Sequence, residues 1–525
     1  MNHAELEEQI RRRWPGRVNM YRDTSKTLVI EPNLSLLRDL CGWLFTGASL
    51  PFGGTVVEES ADEWELRHIF YGVEGGGWVQ VMARQPLAVK TFPSISTKVH
   101  AASWQEREIE DLFGLTFEGH PLLGDFVLHN DIWQEGVEPM RHQFNAKTPI
   151  SERQPDPDWR PRRIVQAPGA FIMPIGPIFS GIAESVNLQL ETVGEDVICA
   201  FPRLFYEYRG IEKIAEGRAA ADALLLAERF AATTAFAHAL AFCQAAETIC
   251  GIKVPARASV LRVFLAELER FRHHVGAISA ICESTALAVA ASQMAILEED
   301  LLRLSGVLAG HRYLFGLTTP GGMCKDLDSA VCQKTYRKCR EILAQMERLE
   351  EMLRFSSSFL DRLEEVGFIS RDETLNHSLV GPIARASGVV RDLRKIQPYS
   401  GYECFDFETP GESEGDGYAR LRVIFEEARQ SVRLMKQAAA VLEPGPVRAT
   451  IQFKAGAALG WTEAPRGAAF HWLRLSEDGR VVRYRIIPPS FINWHGFHLS
   501  VENFAFQDLP IILATMNLSV AENDR

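Results

Sequence analysis

Cysteine thiolates are the softest metal ligands a protein offers, so their spacing is the first test for redox or metal chemistry. Nine cysteines are present, Cys41, Cys199, Cys243, Cys250, Cys282, Cys324, Cys332, Cys339 and Cys404, and no two of them form a C-x-x-C pair. An iron–sulfur cluster within this chain is therefore not expected, and the pattern reads as reduced thiols in a reducing compartment. A second concentration of ionisable groups is W-Q-E-R-E-I-E-D-L-F-G-L, Trp104 to Leu115. Glutamates and arginines spaced in this way on a helix pair with one another more often than they react. A third polar set, His238, Gln244 and Glu247, interrupts the most apolar long stretch, Ala231 to Ile252, which makes that stretch a buried helix rather than a membrane span.

The elements that must position these groups fall into two regions. With 525 residues and 46% hydrophobic content, the chain exceeds what one core usually organises. Its formal charge of −12 gives no basic footprint, so nucleic acid is not an expected partner. The opening M-N-H-A-E-L-E-E-Q-I-R-R-R-W is charged throughout and has no apolar core of a signal peptide. Residues 1–145 read as an α/β module with a polar first helix and a leucine-rich helix around Leu36 to Phe45. Two strands, W-E-L-R-H-I-F-Y and W-V-Q-V-M-A-R, flank the turn V-E-G-G-G. Ile109, Leu112 and Phe113 then recur at helical spacing up to Gly114. Residues 146–170 are rich in proline and charge, the composition of a linker.

Residues 171–525 read as mainly helical with small β elements. Helical segments are expected over Ala219–Cys250, Ala256–Cys282, Leu287–Phe315, Ser329–Val366 and Tyr418–Leu442. The alternating F-H-W-L-R-L-S-E-D-G-R-V-V-R-Y-R-I-I contains a turn between two strands. The fold class expected for the whole is α+β.

The stretch Trp104 to Phe144, with W-Q-E-R-E-I-E-D-L-F-G-L-T-F-E-G-H-P-L-L and E-P-M-R-H-Q-F, resembles the signature of the 30-kDa subunit of respiratory complex I and its counterpart in group 4 membrane-bound nickel–iron hydrogenases. In that family the segment docks its module onto a neighbour. The second region resembles the 49-kDa subunit of complex I and the group 4 hydrogenase large subunit. The matching stretches run in order: Y-R-G-I-E-K (208–213), G-I-K-V-P-A-R-A (251–258), E-L-E-R-F-R-H-H (267–274), P-G-G-M (320–323), G-P-I-A-R-A-S-G-V-V-R-D-L-R-K-I-Q-P-Y (381–399), E-G-D-G-Y-A-R (414–420), E-A-P-R-G (463–467) and R-Y-R-I-I-P-P-S-F-I-N (483–493).

The resemblance also places the family's metal ligands, and there this chain departs from it. The hydrogenase pattern R-x-C-G-x-C-x-F-A-H falls on Arg229 to His238, and D-P-C-x-x-C falls on Asn517 to Glu522. The four ligand positions are Ala231, Thr234, Ser519 and Glu522. A methyl, two hydroxyls and a carboxylate do not replace four thiolates around nickel and low-spin iron. No metal is therefore expected in this chain, and an active nickel–iron hydrogenase is contradicted. Glu212, with Arg209, belongs to a motif that serves proton transfer in true hydrogenases; an internal ion pair is the alternative. His238 survives from the outer shell of the hydrogenase metal, with a satisfied core histidine as its alternative. The quinone-binding histidine positions of complex I fall on Phe179 and Ala183, the quinone tyrosine on Ala232, and the arginine of R-P-G-G on Thr319.

The resemblance implies a hydrophilic subunit of a complex-I-like or hydrogenase-4-like membrane oxidoreductase whose nickel–iron site is lost. It would lie on the cytoplasmic side of a bacterial inner membrane and touch that membrane only through other subunits. A small subunit carrying a [4Fe–4S] cluster would face the cavity, antiporter-like membrane subunits would move ions, and the acceptor would be quinone-like or another small molecule. The alternative is a redox-inactive structural or conformational-coupling subunit.

Overall fold

The computed structural model describes residues 1–129, 133–134, 136–147, 151, 157, 163–166, 168–179 and 184–525. Helix α1 (His3–Arg13) starts at Asn2, whose side chain accepts from the Glu5 N–H at 3.0 Å while Glu5 reaches back to the Asn2 N–H. Strands β1 (Val18–Thr24) and β2 (Thr27–Pro32), helix α2 (Leu37–Gly42) and strands β3 (Phe52–Glu59), β4 (Glu63–Val73) and β5 (Gly77–Pro86) follow. The sheet order is β1-β2-β5-β4-β3, antiparallel except for β2 against β5. The expected hairpin is the β4–β5 pair, running from Glu63↔Pro86 to Val73↔Gly77 with a register shift between Phe70 and Val73. Short parallel strands β6 (Thr91–Pro93) and β7 (Thr116–Glu118) bracket α3 (Ser103–Phe113). This helix stops where expected, because Gly114 takes a left-handed φ of +69° and its N–H returns to Glu110 O at 2.8 Å.

Strands β8 (Ala170–Ile175), β9 (Asn187–Val193) and β10 (Asp196–Arg203) form an antiparallel sheet. Then come α4 (Ile211–Ala215), α5 (Ala220–Arg229) and α6 (Ala235–Cys250). The single helix expected over Ala219–Cys250 is thus two. Ala231 leaves helical geometry at φ −135° and ψ 83°, and a 3₁₀ turn at Ala232–Thr234 follows. The restart is fixed from outside: the Glu269 carboxylate accepts from the N–H groups of Phe236 at 2.7 Å and Ala237 at 2.9 Å, satisfying donors at the first turn of α6.

Helices α7 (Ala256–Ser284), α8 (Ala288–Ala309), α9 (Ser329–Arg354) and α10 (Ser357–Leu360) continue the helical layer, with the hairpin β11 (Thr318–Thr319) and β12 (Gly322–Met323) after α8. Then follow α11 (Arg371–Asn376), α12 (Gly381–Ala386), α13 (Leu393–Ile396) and α14 (Gly417–Ala440). Strands β13 (Gly456–Ala464), β14 (Gly467–Leu475) and β15 (Val481–Ile487) make an antiparallel sheet against α6. The approach is close at Gly460, where a side chain would collide with the Ala241 carbonyl. Helices α15 (Pro489–His495), α16 (Phe497–Val501), α17 (Leu509–Met516) and α18 (Val520–Asn523) return the chain to the start of α6. The fold is α+β.

The charged motifs of the second region are internal. Glu267 on α7 pairs with Arg394 at 2.9 Å and accepts from the Tyr402 hydroxyl at 2.6 Å. Arg385 pairs with Glu427 at 2.7 Å and Glu463 at 2.8 Å, and all three are buried. Each of these buried charges faces an opposite one, so the network ties α7, α12, α13, α14 and β13 together.

The N-terminal region packs directly on this body. Trp78 of β5 meets Trp461 of β13 with ring centroids 4.9 Å apart, and Tyr71 of β4 meets Phe470 of β14 at 5.4 Å. Glu58 of β3 holds Arg474 of β14 through bonds of 2.6 and 2.7 Å. Among the described residues no helix is long and apolar enough to cross a membrane.

Candidate functional site

The site is centred on Glu522, a buried carboxylate on the short α18. Ser519 caps that helix, its Oγ accepting from the Glu522 N–H at 3.1 Å. The Glu522 side chain turns inward: Oε1 accepts from Thr234 Oγ1 at 3.1 Å and lies 3.0 Å from His238 Nε2. Oε2 accepts from the Ser490 N–H at 3.2 Å and from the Ser490 hydroxyl. Burial alone would push the Glu522 carboxyl up. The His238 bond, the nearby Arg466 guanidinium and Ser490 reverse this and hold it down at about 2.

Arg466 keeps the two halves of the site together. Its Nε donates to Asn517 O at 2.8 Å and a terminal nitrogen donates to Thr233 Oγ1 at 3.1 Å, so the turn before β14 clasps the segments that carry Thr234 and Glu522.

A chain of polar groups leads away from Glu522. His238 Nδ1 lies 3.0 Å from His471 Nε2, and His471 Nδ1 lies 2.7 Å from the Tyr484 hydroxyl. Burial keeps His471 neutral and keeps the proton on Tyr484. With the His471 ring neutral and the proton on Tyr484, Tyr484 can donate to His471 Nδ1 and His471 Nε2–H to His238 Nδ1, while His238 Nε2 faces the carboxylate. All four side chains are buried. The arrangement can hold a proton at a defined atom and pass it along the chain by rotation of the rings and hydroxyl.

Glu212 lies on α4 in an ion-pair cluster. Its Oε1 accepts from the Ile486 N–H at 2.8 Å and pairs with Arg525 at 3.0 Å and Arg485 at 3.4 Å. Glu108 of α3 completes the cluster, holding Arg485 through two bonds of 2.7 Å and Arg525 at 2.6 Å. Burial would raise the Glu108 carboxyl, but the two guanidinium groups outweigh it and hold it below its usual range. Arg209 serves the backbone, donating to the carbonyls of Asp524, at 3.3 Å, and Ala521.

Of the residues singled out from sequence, Ala231, Thr234, His238, Ser519 and Glu522 come together, as Ala231 O accepts from the Thr234 N–H at 3.0 Å. Ser519 Oγ also donates to Glu184 at 3.1 Å. Ala232 is half-buried in the same turn. Phe179 is half-buried with its ring over Gly176, and Ala183 lies outside the described residues. Thr319 stands apart: its carbonyl accepts from Arg262 at 3.0 Å, beside the β11–β12 hairpin. Sequence reading missed Ser490, His471, Tyr484 and Arg466. Three of these sit in motifs already noted, E-A-P-R-G and R-Y-R-I-I-P-P-S-F-I-N, but nothing local says which side chains face Glu522.

Chain order, fold and site together define a hydrophilic subunit of the complex-I-like and hydrogenase-4-like kind, with both modules on one polypeptide. Residues 290–454 and 447–525 match the respiratory-chain NADH dehydrogenase 49 Kd subunit, and residues 30–149 match the 30 Kd subunit. Residues 209–276 match the nickel-dependent hydrogenase family. The chain is 30% identical to an NADH-quinone oxidoreductase subunit of Solibacter usitatus, over 68% of this chain and 97% of the relative. It is 27% identical to hydrogenase-4 component G of Escherichia coli, over 98% and 91%, and 28% identical to formate hydrogenlyase subunit 5 of the same organism, over 85% and 79%. The chain belongs to the family of the NADH dehydrogenase 49-kDa subunit, in its form fused to the 30-kDa type.

Proposed function

We propose that this chain is the hydrophilic-arm subunit of a membrane oxidoreductase of the complex-I-like or hydrogenase-4-like kind in which the nickel–iron site is lost. The observation that carries the reading is the direct bond between Thr234 and Glu522, two of the four positions that the family pattern gives to thiolates. The donor set does not fit nickel and low-spin iron: it has no sulfur, and its carboxylate is already saturated by Thr234, His238 and Ser490. The residues do not fit the family's quinone head-group site either, since Phe179 and Ala232 offer no side-chain donor.

In this reading a partner subunit carries a [4Fe–4S] cluster, and electron transfer within the assembly, to quinone or another small acceptor, drives ion translocation through antiporter-like subunits. The chain's own contribution is the buried polar line from Glu522 to Tyr484 and the rigid docking of its two modules. A second reading, a redox-inactive conformational coupler on the cytoplasmic face, draws support from Glu212, which is held as an ion-pair partner rather than left open to a cavity.

The test is isolation of the tagged chain from its native membrane in mild detergent, with co-purifying subunits identified and iron and nickel measured. Membrane partners with iron and without nickel are expected. Membrane partners without iron move the role to coupling, and stoichiometric nickel refutes the loss of the metal site.

A further inference from the structure

Away from Glu522, three imidazoles converge where the two modules meet. His100 opens the 3₁₀ turn His100–Ala102 ahead of α3, His377 caps the end of α11, and His495 is the last residue of α15. Their ring centroids form a near-equilateral triangle with sides of 4.5, 4.9 and 5.0 Å. One ring nitrogen from each lies within 4.8 Å of the other two. His377 and His495 are buried and His100 is exposed, so the triangle is anchored inside and open on one side.

Ring packing leaves one atom of this cluster unexplained. His377 Nδ1 lies 3.0 Å from Glu373 O, so that nitrogen carries the proton and donates, and the lone pair sits on Nε2. His377 is only 6% exposed, and its Nε2 is buried with no hydrogen-bond partner among the described residues. A buried acceptor without a donor is costly and rare in folded proteins. A metal ion would take up that lone pair. The backbone carbonyl behind Nδ1 is the kind of outer contact that fixes the tautomer of a metal-binding histidine. Burial, then the neighbouring imidazoles, hold His377 down at about 3 and push His495 well below the ordinary value. Both rings are therefore neutral at physiological pH, the form that binds metals.

We propose that His100, His377 and His495 bind one divalent transition-metal ion of the zinc class, clipping the N-terminal module to the C-terminal one. Three imidazole nitrogens suit zinc, whereas magnesium and calcium require oxygen donors. Nitrogens bound at about 2.0–2.1 Å in a tetrahedron stand roughly 3.3 Å apart, so each ligand atom moves inward by under about 1 Å. Rotation of the exposed His100 ring and small shifts at two helix ends can supply this. The fourth position faces the open side, where water completes the shell, and His498, whose ring stands 5.5 Å from that of His377, lines the approach. This site does not depend on the proposed loss of nickel and iron, because none of its residues belongs to the Glu522 cluster.

The test uses the full chain, purified without a polyhistidine tag, stripped with chelator and titrated with zinc against a chromophoric competitor. Cobalt(II) serves as a spectroscopic stand-in. One zinc per chain is expected, with the visible absorption of four-coordinate cobalt and a higher Tm on zinc addition. His100→Ala and His377→Gln should each weaken zinc binding by more than about tenfold and abolish the cobalt signal. His100 is exposed, so His100→Ala should keep the metal-free Tm of the parent and separate loss of binding from misfolding. Sub-stoichiometric zinc in the parent, or undiminished affinity in both variants because thiols elsewhere hold the ion, overturns the proposal.

Discussion

Thr234 Oγ1 donates to Glu522 Oε1 at 3.1 Å, joining two positions 288 residues apart that the family pattern assigns to opposite cysteine pairs. A hydroxyl and a carboxylate thus meet across the space where two thiolates would have shared a metal. On the proposed reading, this contact closes the site rather than leaving it merely without ligands. His238 and Ser490 complete the bonding of the Glu522 carboxylate.

Restoring thiols on one side should therefore fail. In the double variant Ala231→Cys, Thr234→Cys, Glu522 keeps its bonds to His238 and Ser490 and still blocks the second pair of positions. The expected outcome is no stoichiometric nickel by elemental analysis and no hydrogen evolution with reduced viologen. Hydrogen activity from this double variant alone would contradict the account of a closed site.

Glu522 also makes stability depend on pH in a predictable direction. Its carboxyl falls from an ordinary 4.5 to about 2 in the fold, which corresponds to roughly 3 kcal/mol. Because the folded value is the lower one, this contribution is complete above pH 4.5 and is lost as pH falls toward 2. Glu522→Gln should therefore destabilise the chain by about that amount at pH 7, and by progressively less as the pH drops below 4.5. Denaturant melts of both proteins at pH 7 and pH 3.5 check this; a gap of equal size at both values rules it out.

Much of this was legible in the sequence, and the limits are physical. Gly114 ends α3 where the spacing of Ile109, Leu112 and Phe113 said it should, because a local signal sufficed. The β4–β5 hairpin was readable from its glycines. Strand β1 was not, because V-N-M-Y-R-D-T is mostly exposed and offers little alternation of burial. The break between α5 and α6 was hidden too: the carboxylate that restarts the helix, Glu269, comes from another helix. Glu522 could be located by alignment to a ligand motif, but its partners His471, Tyr484 and Ser490 meet only after β14, β15 and α15 are folded.

Gly460 tests whether the sheet against α6 is as tightly fitted as it stands. An added methyl would strike the Ala241 carbonyl and come within 2.8 Å of Ala245 N, both backbone atoms that cannot rotate away. Gly460→Ala should cost about 1–3 kcal/mol through overpacking. A thermal melt within a degree of the parent would mean that β13 and α6 stand further apart than this close approach requires.

The cluster of Glu108, Glu212, Arg485 and Arg525 distinguishes a docking role from a proton-carrying one. Glu108 holds both arginines with bonds of 2.6–2.7 Å, while Glu212 pairs with them at 3.0 and 3.4 Å and also accepts a backbone N–H. Glu108→Gln leaves two buried guanidinium groups to one more distant carboxylate, so it should destabilise the chain by about 3–5 kcal/mol. Glu212→Gln keeps an acceptor for the Ile486 N–H and leaves both arginines on Glu108, so its cost should be smaller. If Glu212 is an ion-pair partner, ion movement in membrane vesicles should fall only as far as the amount of assembled complex falls. An intact assembly that no longer moves ions would instead make Glu212 a proton carrier, and the polar line ending at Tyr484 its natural continuation, since the Glu212 carboxylate lies close enough to raise the Tyr484 hydroxyl beyond the effect of burial.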